Sequence, residues 1–271
     1  MKSKKEKLFE IFRQISESGL CAAAFSGGVD SCVLAFALKK FGAELGKPVL
    51  ALTARSASMP ESEALEVERL AREIDIPHAF VPTQELELPE YRSNPRERCY
   101  FCKRHILGRL LEEAKKRGFT QLAEGSNADD LSDFRPGFQA VREWKVRSPL
   151  CEAGLTKSEV RQLAHEWKIS TAEKPSTPCL ASRIAYGIEI SPERLHRVEL
   201  AEKYLAQLGL SPLRVRVHEK ELARIETDPE KLAVLLRPEI RGNLLTEFRQ
   251  LGFSRICLDL GGFQSGSLNE G

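Results

Sequence analysis

Short apolar runs alternate with helix-patterned segments through the first 170 residues of the chain. The runs at 21–25, 48–54, 78–82 and 121–124 have the length of strands, and a segment whose apolar residues recur at helical spacing follows each of them. Repeated strand–helix units build a parallel sheet that is covered by helices on both faces. We therefore predict an α/β fold for residues 1–170.

The pattern changes after residue 170. A loop rich in Pro, Ser and Thr (170–178) precedes another helical segment, and residues 213–218 then alternate strictly between apolar and polar. Such alternation is typical of a half-buried strand. A helix near 229–251 and a strand at 255–260 follow. We expect a domain boundary at residue 170, with a smaller α+β domain in residues 171–271.

Capping residues mark two helix starts in the first domain. Ser58 stands two residues before Pro60, which predicts an N-cap and a first-turn proline. Thr156 and Glu159 have the spacing of a capping box. A further helix is expected near 104–117.

The charge balance argues against a large polyanionic partner. The 41 Lys and Arg residues and the 39 Asp and Glu residues leave a formal net charge of +2, whereas nucleic-acid binding requires many phosphate contacts. No apolar run approaches the about 18 residues of a membrane span, and no apolar core of a signal peptide follows the basic start. We expect a cytoplasmic protein with no nucleic-acid partner and no membrane segment.

Seven cysteines are scattered along the chain: Cys21, Cys32, Cys99, Cys102, Cys151, Cys179 and Cys257. An odd number of widely spaced cysteines in a chain of this length favours thiols over a disulfide framework. Cysteines that are buried are expected to be inert, because a buried thiol behaves as a small apolar group.

The segment 26–31 (SGGVDS) stands between the first strand and its helix. Its glycines let the backbone approach an anion closely, its serines offer hydroxyl donors, and the helix start presents unpaired N–H groups. Its aspartate would repel a bare phosphate but suits Mg²⁺ that bridges to phosphate oxygens. The segment predicts a phosphate and Mg²⁺ site; the alternative is an ordinary glycine-rich turn. The residues concerned are Ser26, Gly27, Gly28, Asp30 and Ser31.

A second polar segment, EGSNADD (124–130), follows the strand predicted at 121–124. Because ligands collect at the carboxyl ends of parallel strands, this segment should face the same crevice as the 26–31 loop. Glu124, Gly125 and Asp129 are therefore candidate nucleotide-binding residues. Asp129 and Asp130 also fit a solvated turn without a ligand.

Cys99 and Cys102 form a C-x-x-C motif with basic residues on both sides, which favours the thiolate. Two thiolates do not complete a metal site, and the sequence has no second C-x-x-C for a zinc site with four cysteines. With Cys179 as a third ligand, a 4Fe–4S cluster would keep one iron open to a non-protein ligand. The alternative is two reduced thiols at the start of a helix.

Cys179 lies in the sequence PSTPCLASRIAYG, between Lys174 and Arg183. Either cation would stabilise a thiolate or hold an anionic substrate. The pattern predicts a nucleophilic cysteine, and the alternative is a loop cysteine without a chemical role.

SGGVDS after a first strand resembles the PP-loop of the ATP pyrophosphatases, a family of the adenine-nucleotide hydrolase superfamily. Unlike the phosphate loop of the Walker type, it contains no lysine. The resemblance implies cleavage of ATP between its α and β phosphates and adenylation of an acceptor. It also implies adenine contacts just after the second strand, at Thr53, Arg55 and Ser56.

Longer motifs resemble the LarE family of sulfur transferases over nearly the whole chain. They are PxxPCLASRxxYG, RCYxCK, EGSNADDLxDxRPG and, at the end, LDLxGFxxGSLN. The resemblance implies that ATP adenylates a carboxylate of pyridinium-3,5-biscarboxylic acid mononucleotide and that sulfur then replaces AMP, giving a thiocarboxylate in nickel-pincer cofactor biosynthesis. It also implies a homo-oligomer assembled through dimers and trimers.

Members of that family differ in their source of sulfur. Some sacrifice one cysteine, which becomes dehydroalanine, whereas others carry a C-x-x-C and a loop cysteine that hold a cluster able to deliver sulfide repeatedly. This chain resembles the second group through Cys99, Cys102 and Cys179. The cofactors implied are ATP, Mg²⁺ and a 4Fe–4S cluster.

The substrate implied by this resemblance is a small anion with a phosphate and carboxylates, which arginine binds through paired hydrogen bonds. The candidate substrate-binding residues are Ser182, Arg183, Arg214 and Arg216. The candidate catalytic residues are Cys179, Asp30, Arg183 and Glu202, the last as a proton acceptor. For Arg214 and Arg216 the alternative is the solvent face of an edge strand, and His218 on that face is interpreted as an ordinary surface residue.

Two other functions share some of these features. A PP-loop tRNA thiolase would have the same loop and C-x-x-C, but the nearly neutral charge argues against tRNA. A non-catalytic module would use the loop only to hold an adenine nucleotide.

Overall fold

The computed structural model describes residues 2–131, 137–175 and 177–264. In chain order its helices and strands are α1 (Lys2–Ser18), β1 (Cys21–Ala24), α2 (Val29–Glu44), β2 (Leu50–Arg55), α3 (Glu61–Ile74), β3 (His78–Pro82), α4 (Pro89–Arg92), α5 (Arg98–Lys116), β4 (Gln121–Ala123), α6 (Gly137–Glu143), α7 (Pro149–Glu152), α8 (Lys157–Glu166), α9 (Pro192–Gln207), β5 (Leu213–His218), β6 (Leu222–Thr227), α10 (Leu232–Leu235), α11 (Pro238–Gln250) and β7 (Arg255–Leu258). None of these helices is long and apolar enough to cross a membrane. Parts of three sequence motifs, at 132–136, Ser176 and 265–269, lie outside the described residues.

The chain divides into two compact units. The first unit consists of Met1–Glu85 and Glu97–Thr177, and the second of Leu86–Arg96 and Pro178–Gly271. Asn94 explains why the short earlier segment belongs to the second unit, because its buried side-chain amide donates hydrogen bonds to the carbonyls of Ala185 (2.8 Å) and Ile188 (3.0 Å). The division into residues 1–170 and 171–271 stays a prediction of domain organisation.

The first unit is built on a four-stranded sheet in which all strands are parallel, in the order β3-β2-β1-β4. The predicted α/β fold is confirmed. Strands β2 and β3 extend the sheet on one side of β1, whereas β4 lies on the other side. The order in which strands are added therefore changes direction between β1 and β4. Ligands of parallel sheets bind at the carboxyl ends of the strands at such a point.

Helices cover both faces of this sheet. Side chains on β1 alternate between two apolar cores: Ala23 packs in the core that contains Phe12 and Leu34, and Ala22 packs in the core that contains Leu107 and Leu110. The first core includes residues of α1, α2 and α8, and the second includes residues of α5 and α6. The small side chains of β1 let helices approach both faces of this central strand closely.

The second unit contains a three-stranded sheet in the order β5-β6-β7. Strand β5 is antiparallel to β6, and β6 is parallel to β7. The strand predicted at 213–218 is confirmed, but the single helix predicted near 229–251 is wrong. Helices α10 and α11 are separate because Arg237 is extended (φ −59°, ψ 133°) before Pro238, and a residue that precedes proline avoids the helical conformation.

Two helix starts differ from the predictions and one agrees with them. The N-cap of α3 is Pro60, so Ser58 is not the cap. Helix α5 begins at Arg98 and not near residue 104, which places Cys99 and Cys102 in its first turns. The capping box of Thr156 and Glu159 at the start of α8 is confirmed.

Candidate active site

The loop after β1 is shaped by its glycines. Gly27 has a positive φ of 73°, and a Cβ atom at this position would lie 2.9 Å from Cγ2 of Val67, so a larger residue would be strained. Gly28 is the N-cap of α2 in an extended conformation (φ −82°, ψ 161°). Helix α2 therefore starts directly after the glycines, and its first N–H groups and dipole favour an anion there.

The two serines of the loop hold it in one conformation. The backbone N–H and the hydroxyl of Ser26 each donate to Oγ of Ser31 at 3.2 Å, and the Ser31 hydroxyl donates to the carbonyl of Gly28 at 3.0 Å. Ser31 is buried, whereas Ser26 is exposed. Ser31 thus fixes the shape of the loop, and Ser26 is the serine that faces outward.

The loop after β4 packs directly against this loop, as the sequence predicts. A Cβ atom on Gly125 would lie 3.0 Å from the backbone nitrogen of Ser31, so the two loops approach each other closely only because residue 125 is a glycine. Asn127 donates from Nδ2 to Oδ1 of Asp30 at 3.3 Å. Asp30 therefore lies where the β1 and β4 loops meet.

Lys157 is a functional candidate that the sequence did not reveal. It is the first residue of α8, its ammonium forms an ion pair with Asp30, and its backbone N–H donates to Oδ2 of Asp129 at 2.8 Å. The capping box marked the start of α8 in the sequence, but nothing in the sequence placed that start beside residue 30. Asp129 thus accepts a backbone N–H at the start of α8, and its assignment to nucleotide binding stays a prediction.

Glu124 is buried, and its carboxylate is fully used within the first unit. It accepts hydrogen bonds from Lys103 at 3.0 Å and from the hydroxyl of Ser126 at 2.8 Å on Oε2, and one from Ser148 on Oε1. Such contacts indicate a residue that fixes the start of the 124–130 loop. Its assignment to nucleotide binding stays a prediction.

The residues proposed to contact adenine differ in how much they are exposed. Thr53 is buried and donates its hydroxyl to the carbonyl of Phe25, so it ties β2 to β1. Arg55 pairs with Glu61, and its guanidinium lies 5.6 Å from the ring centroid of Phe80. Thr53 thus holds β2 against the residue that follows β1. Arg55 places its guanidinium beside the Phe80 ring at the end of β2.

Ser56 begins a short polar turn after β2. Its hydroxyl lies 2.7 Å from the hydroxyl of Ser58 and accepts the N–H of that residue at 3.0 Å. The buried Glu85 lies beside this turn, where it accepts the Thr83 hydroxyl at 3.0 Å. Burial raises the pKa of the Glu85 carboxyl, and hydrogen bonds that include one from Ser56 oppose that rise.

Burial separates the cysteines into two groups. Cys21 and Cys32 are buried, and burial raises the pKa of each thiol to about 12, so both are inert at neutral pH. Burial also raises the pKa of Cys151. Cys99, Cys179 and Cys257 are exposed and Cys102 is half-buried.

A metal-binding group is not assembled within the described residues. No set of three or more His, Cys, Asp or Glu side chains there is placed to hold a metal ion. Cys99 and Cys102 belong to the first unit and Cys179 to the second, so the 4Fe–4S assignment stays a prediction.

Arg183 anchors the turn that carries Cys179 in the second unit. Its buried guanidinium donates from Nη1 to the carbonyls of Pro178 and Cys179, the latter at 2.9 Å. The Ser182 hydroxyl donates to the same Cys179 carbonyl at 2.7 Å. Cys179 is thus an exposed thiol on a turn whose backbone is held from beneath, and Arg183 and Ser182 position this turn.

Glu202 completes this arrangement. Nε and Nη2 of Arg183 donate to its two carboxylate oxygens at 3.0 Å each, and the N–H of Val215 donates to Oε1 at 3.0 Å. Both oxygens therefore have strong donors, which favours a positioning role for Glu202. Its role as a proton acceptor stays a prediction.

The two arginines of β5 are not equivalent, although they alternate onto one face of the strand. Arg216 is buried and pairs with the fully buried Glu226 at 2.8 Å. It also donates to the carbonyl of Ser182 at 3.0 Å. The solvent-face alternative is therefore wrong for Arg216. His218 is half-buried, with its pKa lowered by burial, so its interpretation as an ordinary surface residue is also wrong.

Arg214 is half-buried, and its assignment to substrate binding stays a prediction. It donates to the carbonyl of Leu213 at 2.7 Å and lies 5.1 Å from the ring centroid of Phe263. Within the part of the second unit that is described, no carboxylate forms an ion pair with it. Burial, and then the charge of Arg183, lowers its pKa. The negative charge of a bound anion would favour the charged guanidinium and so oppose this lowering.

The geometry therefore contains a glycine loop at the start of α2 in one unit. The other unit contains an exposed thiol on a turn that Arg183 holds, and Arg214, which forms no ion pair with a described carboxylate. No family model matches the chain. An uncharacterised protein of Synechocystis sp. is 41% identical over 270 residues, which are 100% of this chain and 98% of that protein.

Two named enzymes are also similar to the chain. The tRNA-specific 2-thiouridylase MnmA of Pelobacter propionicus is 30% identical over 188 residues, 56% of this chain and 51% of that enzyme. The pyridinium-3,5-bisthiocarboxylic acid mononucleotide synthase of Lactiplantibacillus plantarum is 34% identical over 248 residues, 91% of this chain and 88% of the synthase. Because this second similarity covers nearly all of both proteins, the chain belongs to the LarE family, that of the mononucleotide synthase.

Proposed function

We propose that this chain uses ATP to adenylate a carboxylate of pyridinium-3,5-biscarboxylic acid mononucleotide and then converts that carboxylate to a thiocarboxylate. The name of the synthase that is 34% identical supports the class of product. The observation that carries the proposal is the 26–31 loop, where the start of α2 and Asp30 meet the β4 loop at the reversal point of a parallel sheet.

The first step solves a chemical problem, since a carboxylate is a poor electrophile. Its oxygen attacks the α phosphorus of ATP, the bond to the β phosphate breaks, and pyrophosphate leaves with the electron pair. The N–H groups at the start of α2 would hold the phosphates, and so would the Ser26 hydroxyl after it leaves Ser31, to which it donates in the unbound loop. Asp30 would hold Mg²⁺, which neutralises phosphate charge when bound. The resulting acyl adenylate carries AMP as a good leaving group.

Sulfur then displaces AMP. The sulfur nucleophile attacks the acyl carbon, the bond between that carbon and the AMP oxygen breaks, and AMP leaves with the electron pair. Attack by sulfide would give the thiocarboxylate directly, whereas attack by the Cys179 sulfur would give a thioester whose Cβ–S bond must then break by elimination, leaving dehydroalanine. Arg183 and Ser182 hold the Cys179 carbonyl, so the thiol is presented on a fixed turn. Arg214 would bind a carboxylate or the phosphate of the substrate, because it is only half-buried and forms no ion pair with a carboxylate of the described residues.

The source of sulfur is part of the same proposal. Cys99 and Cys179 are exposed and Cys102 is half-buried, and such thiols suit iron–sulfur ligation. A 4Fe–4S cluster on these three cysteines would, when bound, supply sulfide for repeated turnovers without consuming Cys179. Protein reconstituted without oxygen should bind iron and sulfide and lose both when Cys99 or Cys102 is replaced; fully active protein without iron would contradict the cluster.

The proposed reaction is tested with purified protein, ATP, Mg²⁺ and the dicarboxylate mononucleotide. We expect pyrophosphate, AMP and thiocarboxylate in the wild type, none of them with Asp30→Ala, and pyrophosphate without thiocarboxylate with Cys179→Ala, because adenylation releases pyrophosphate before sulfur displaces AMP. Cys257→Ala is the matched control, because Cys257 is also an exposed cysteine of the second unit. Thiocarboxylate formed by Cys179→Ala at the normal rate would refute the assigned role of Cys179.

A tRNA thiolase is the second candidate, since the thiouridylase is similar over 56% of this chain. A salt-sensitive complex with tRNA would favour it. A homo-oligomer and a cytoplasmic location also belong to our proposal, and light scattering of the purified protein would test the first.

A further inference from the structure

The 26–31 loop contains no cation, although a nucleotide polyphosphate carries several negative charges. The fold brings a cation to the loop from a distant position in the sequence. Lys157, at the start of α8, places its ammonium on the Asp30 carboxylate. A second cation near the loop, Lys174, is already paired with Glu63 at 2.9 Å and contacts the Gly27 carbonyl at 3.4 Å.

Lys157 is held firmly at its backbone end. Thr156 is the N-cap of α8, and its N–H donates to the Glu159 carboxylate at 2.9 Å. The N–H of Lys157 itself donates to Asp129 at 2.8 Å. These contacts fix the backbone of Lys157 beside the 124–130 loop. Its side chain, which is 37% exposed, remains able to change partners.

Asp30 has one carboxylate for two competing uses. Oδ2 is taken by Lys157 and Oδ1 by the amide of Asn127, at 3.3 Å. A metal ion that binds Asp30 must compete with the Lys157 ammonium, because both need the same carboxylate charge. A phosphate group that arrives with the metal offers the displaced ammonium a new anionic partner at the same place.

We propose that Lys157 is the phosphate-binding lysine of this site. It pairs with Asp30 before the nucleotide binds and moves to a phosphate oxygen when polyphosphate and a divalent cation bind together. This inference rests on the proposed nucleotide site and adds to it a residue with a defined exchange of partners.

The exchange predicts opposite effects on two ligands. Without the Lys157 ammonium, pyrophosphate loses a charged hydrogen-bond donor, which corresponds to about a tenfold or greater loss of affinity. A divalent metal alone no longer competes with the ammonium for Asp30, so its affinity stays the same or rises. A lysine that only stabilised the fold would change both affinities in the same direction.

The experiment measures binding to the full chain and not turnover. Pyrophosphate binding in the presence of Mg²⁺ is followed by calorimetry, and binding of Mn²⁺ alone by electron paramagnetic resonance. The variants are Lys157→Met and Lys157→Arg. The matched control is Lys4→Met, because Lys4 pairs with Glu159 on the same helix without contact to Asp30. We expect about tenfold weaker pyrophosphate binding in Lys157→Met with undiminished Mn²⁺ binding, recovery in Lys157→Arg, and no change in Lys4→Met.

Two results would overturn the inference alone. One is equal pyrophosphate affinity in the wild type and Lys157→Met, and the other is a parallel loss of pyrophosphate and Mn²⁺ affinity. Lys157→Gln provides the same comparison if Lys157→Met does not fold. A wild-type protein that binds neither pyrophosphate nor ATP would instead refute the nucleotide site and with it the proposed function.

Discussion

Replacing Arg183 by methionine tests whether a buried ion pair holds the Cys179 turn. The Arg183 side chain is 3% exposed and donates to Glu202 through two hydrogen bonds of 3.0 Å. Removing one partner of a buried ion pair leaves the other charge uncompensated and lowers the free energy of unfolding by about 3–5 kcal/mol. At about 2–4 °C per kcal/mol for a chain of this size, Tm should fall by about 6–20 °C.

The assay is urea unfolding of Arg183→Met, Glu202→Met and the double variant. Since each single change leaves one charge without its partner, the double variant should lose less stability than the sum of the two, with a coupling energy of about 2 kcal/mol or more. Arg214→Met is the matched control, because Arg214 has no ion pair among the described residues. A loss below about 1 kcal/mol for Arg183→Met, or additive losses in the double variant, would refute the role of this pair.

Three further changes test the first unit. Glu85→Gln should gain stability relative to the wild type as the pH rises above the unfolded carboxyl pKa of about 4.3, because the pKa of Glu85 is raised in the folded protein. The contribution of the protonated Glu85 carboxyl is complete below the unfolded pKa and is lost as the pH rises through the folded pKa; an unfolding free-energy difference that is independent of pH would contradict this. Gly27→Ala should lower the free energy of unfolding by at least about 1 kcal/mol because of its positive φ, and should weaken pyrophosphate binding; unchanged calorimetric affinity would show that the loop conformation is unimportant. Cys32→Ser should cost about 1–3 kcal/mol in urea unfolding because a hydroxyl is buried at a fully buried position, whereas the exposed Cys257→Ser should change stability by less than about 0.5 kcal/mol.

The sheet of the first unit was predictable from the sequence because its signals are local. Each strand is a short apolar run, and β1 carries the glycine loop directly after it. The break between α10 and α11 has an equally local cause, Pro238, although the apolar spacing that predicts a single helix continues across this proline. The place of 86–96 in the second unit depends on Asn94, whose partners lie about ninety residues later in the chain, and no local pattern reveals such contacts.

The candidate site was predictable only in part, for the same reason. The motifs name the loop residues and Cys179, but they do not show which charged groups are already paired. The alternation in β5 predicts that Arg216 faces solvent, yet the fold buries it against Glu226. Arg214, two residues earlier, forms no ion pair among the described residues. Lys157 contacts Asp30 across 127 residues of sequence, so only the folded chain brings this cation to the loop.

The most direct test follows an oxygen atom through the reaction. The mononucleotide substrate is prepared with the heavy oxygen isotope in its carboxylates, and the AMP formed in ordinary water is analysed by mass spectrometry. Adenylation of the carboxylate followed by sulfur attack at the acyl carbon predicts that the AMP phosphate carries one heavy oxygen atom. AMP that contains no heavy oxygen would mean that water cleaves ATP, and it would contradict the proposal that this chain activates a carboxylate for sulfur transfer.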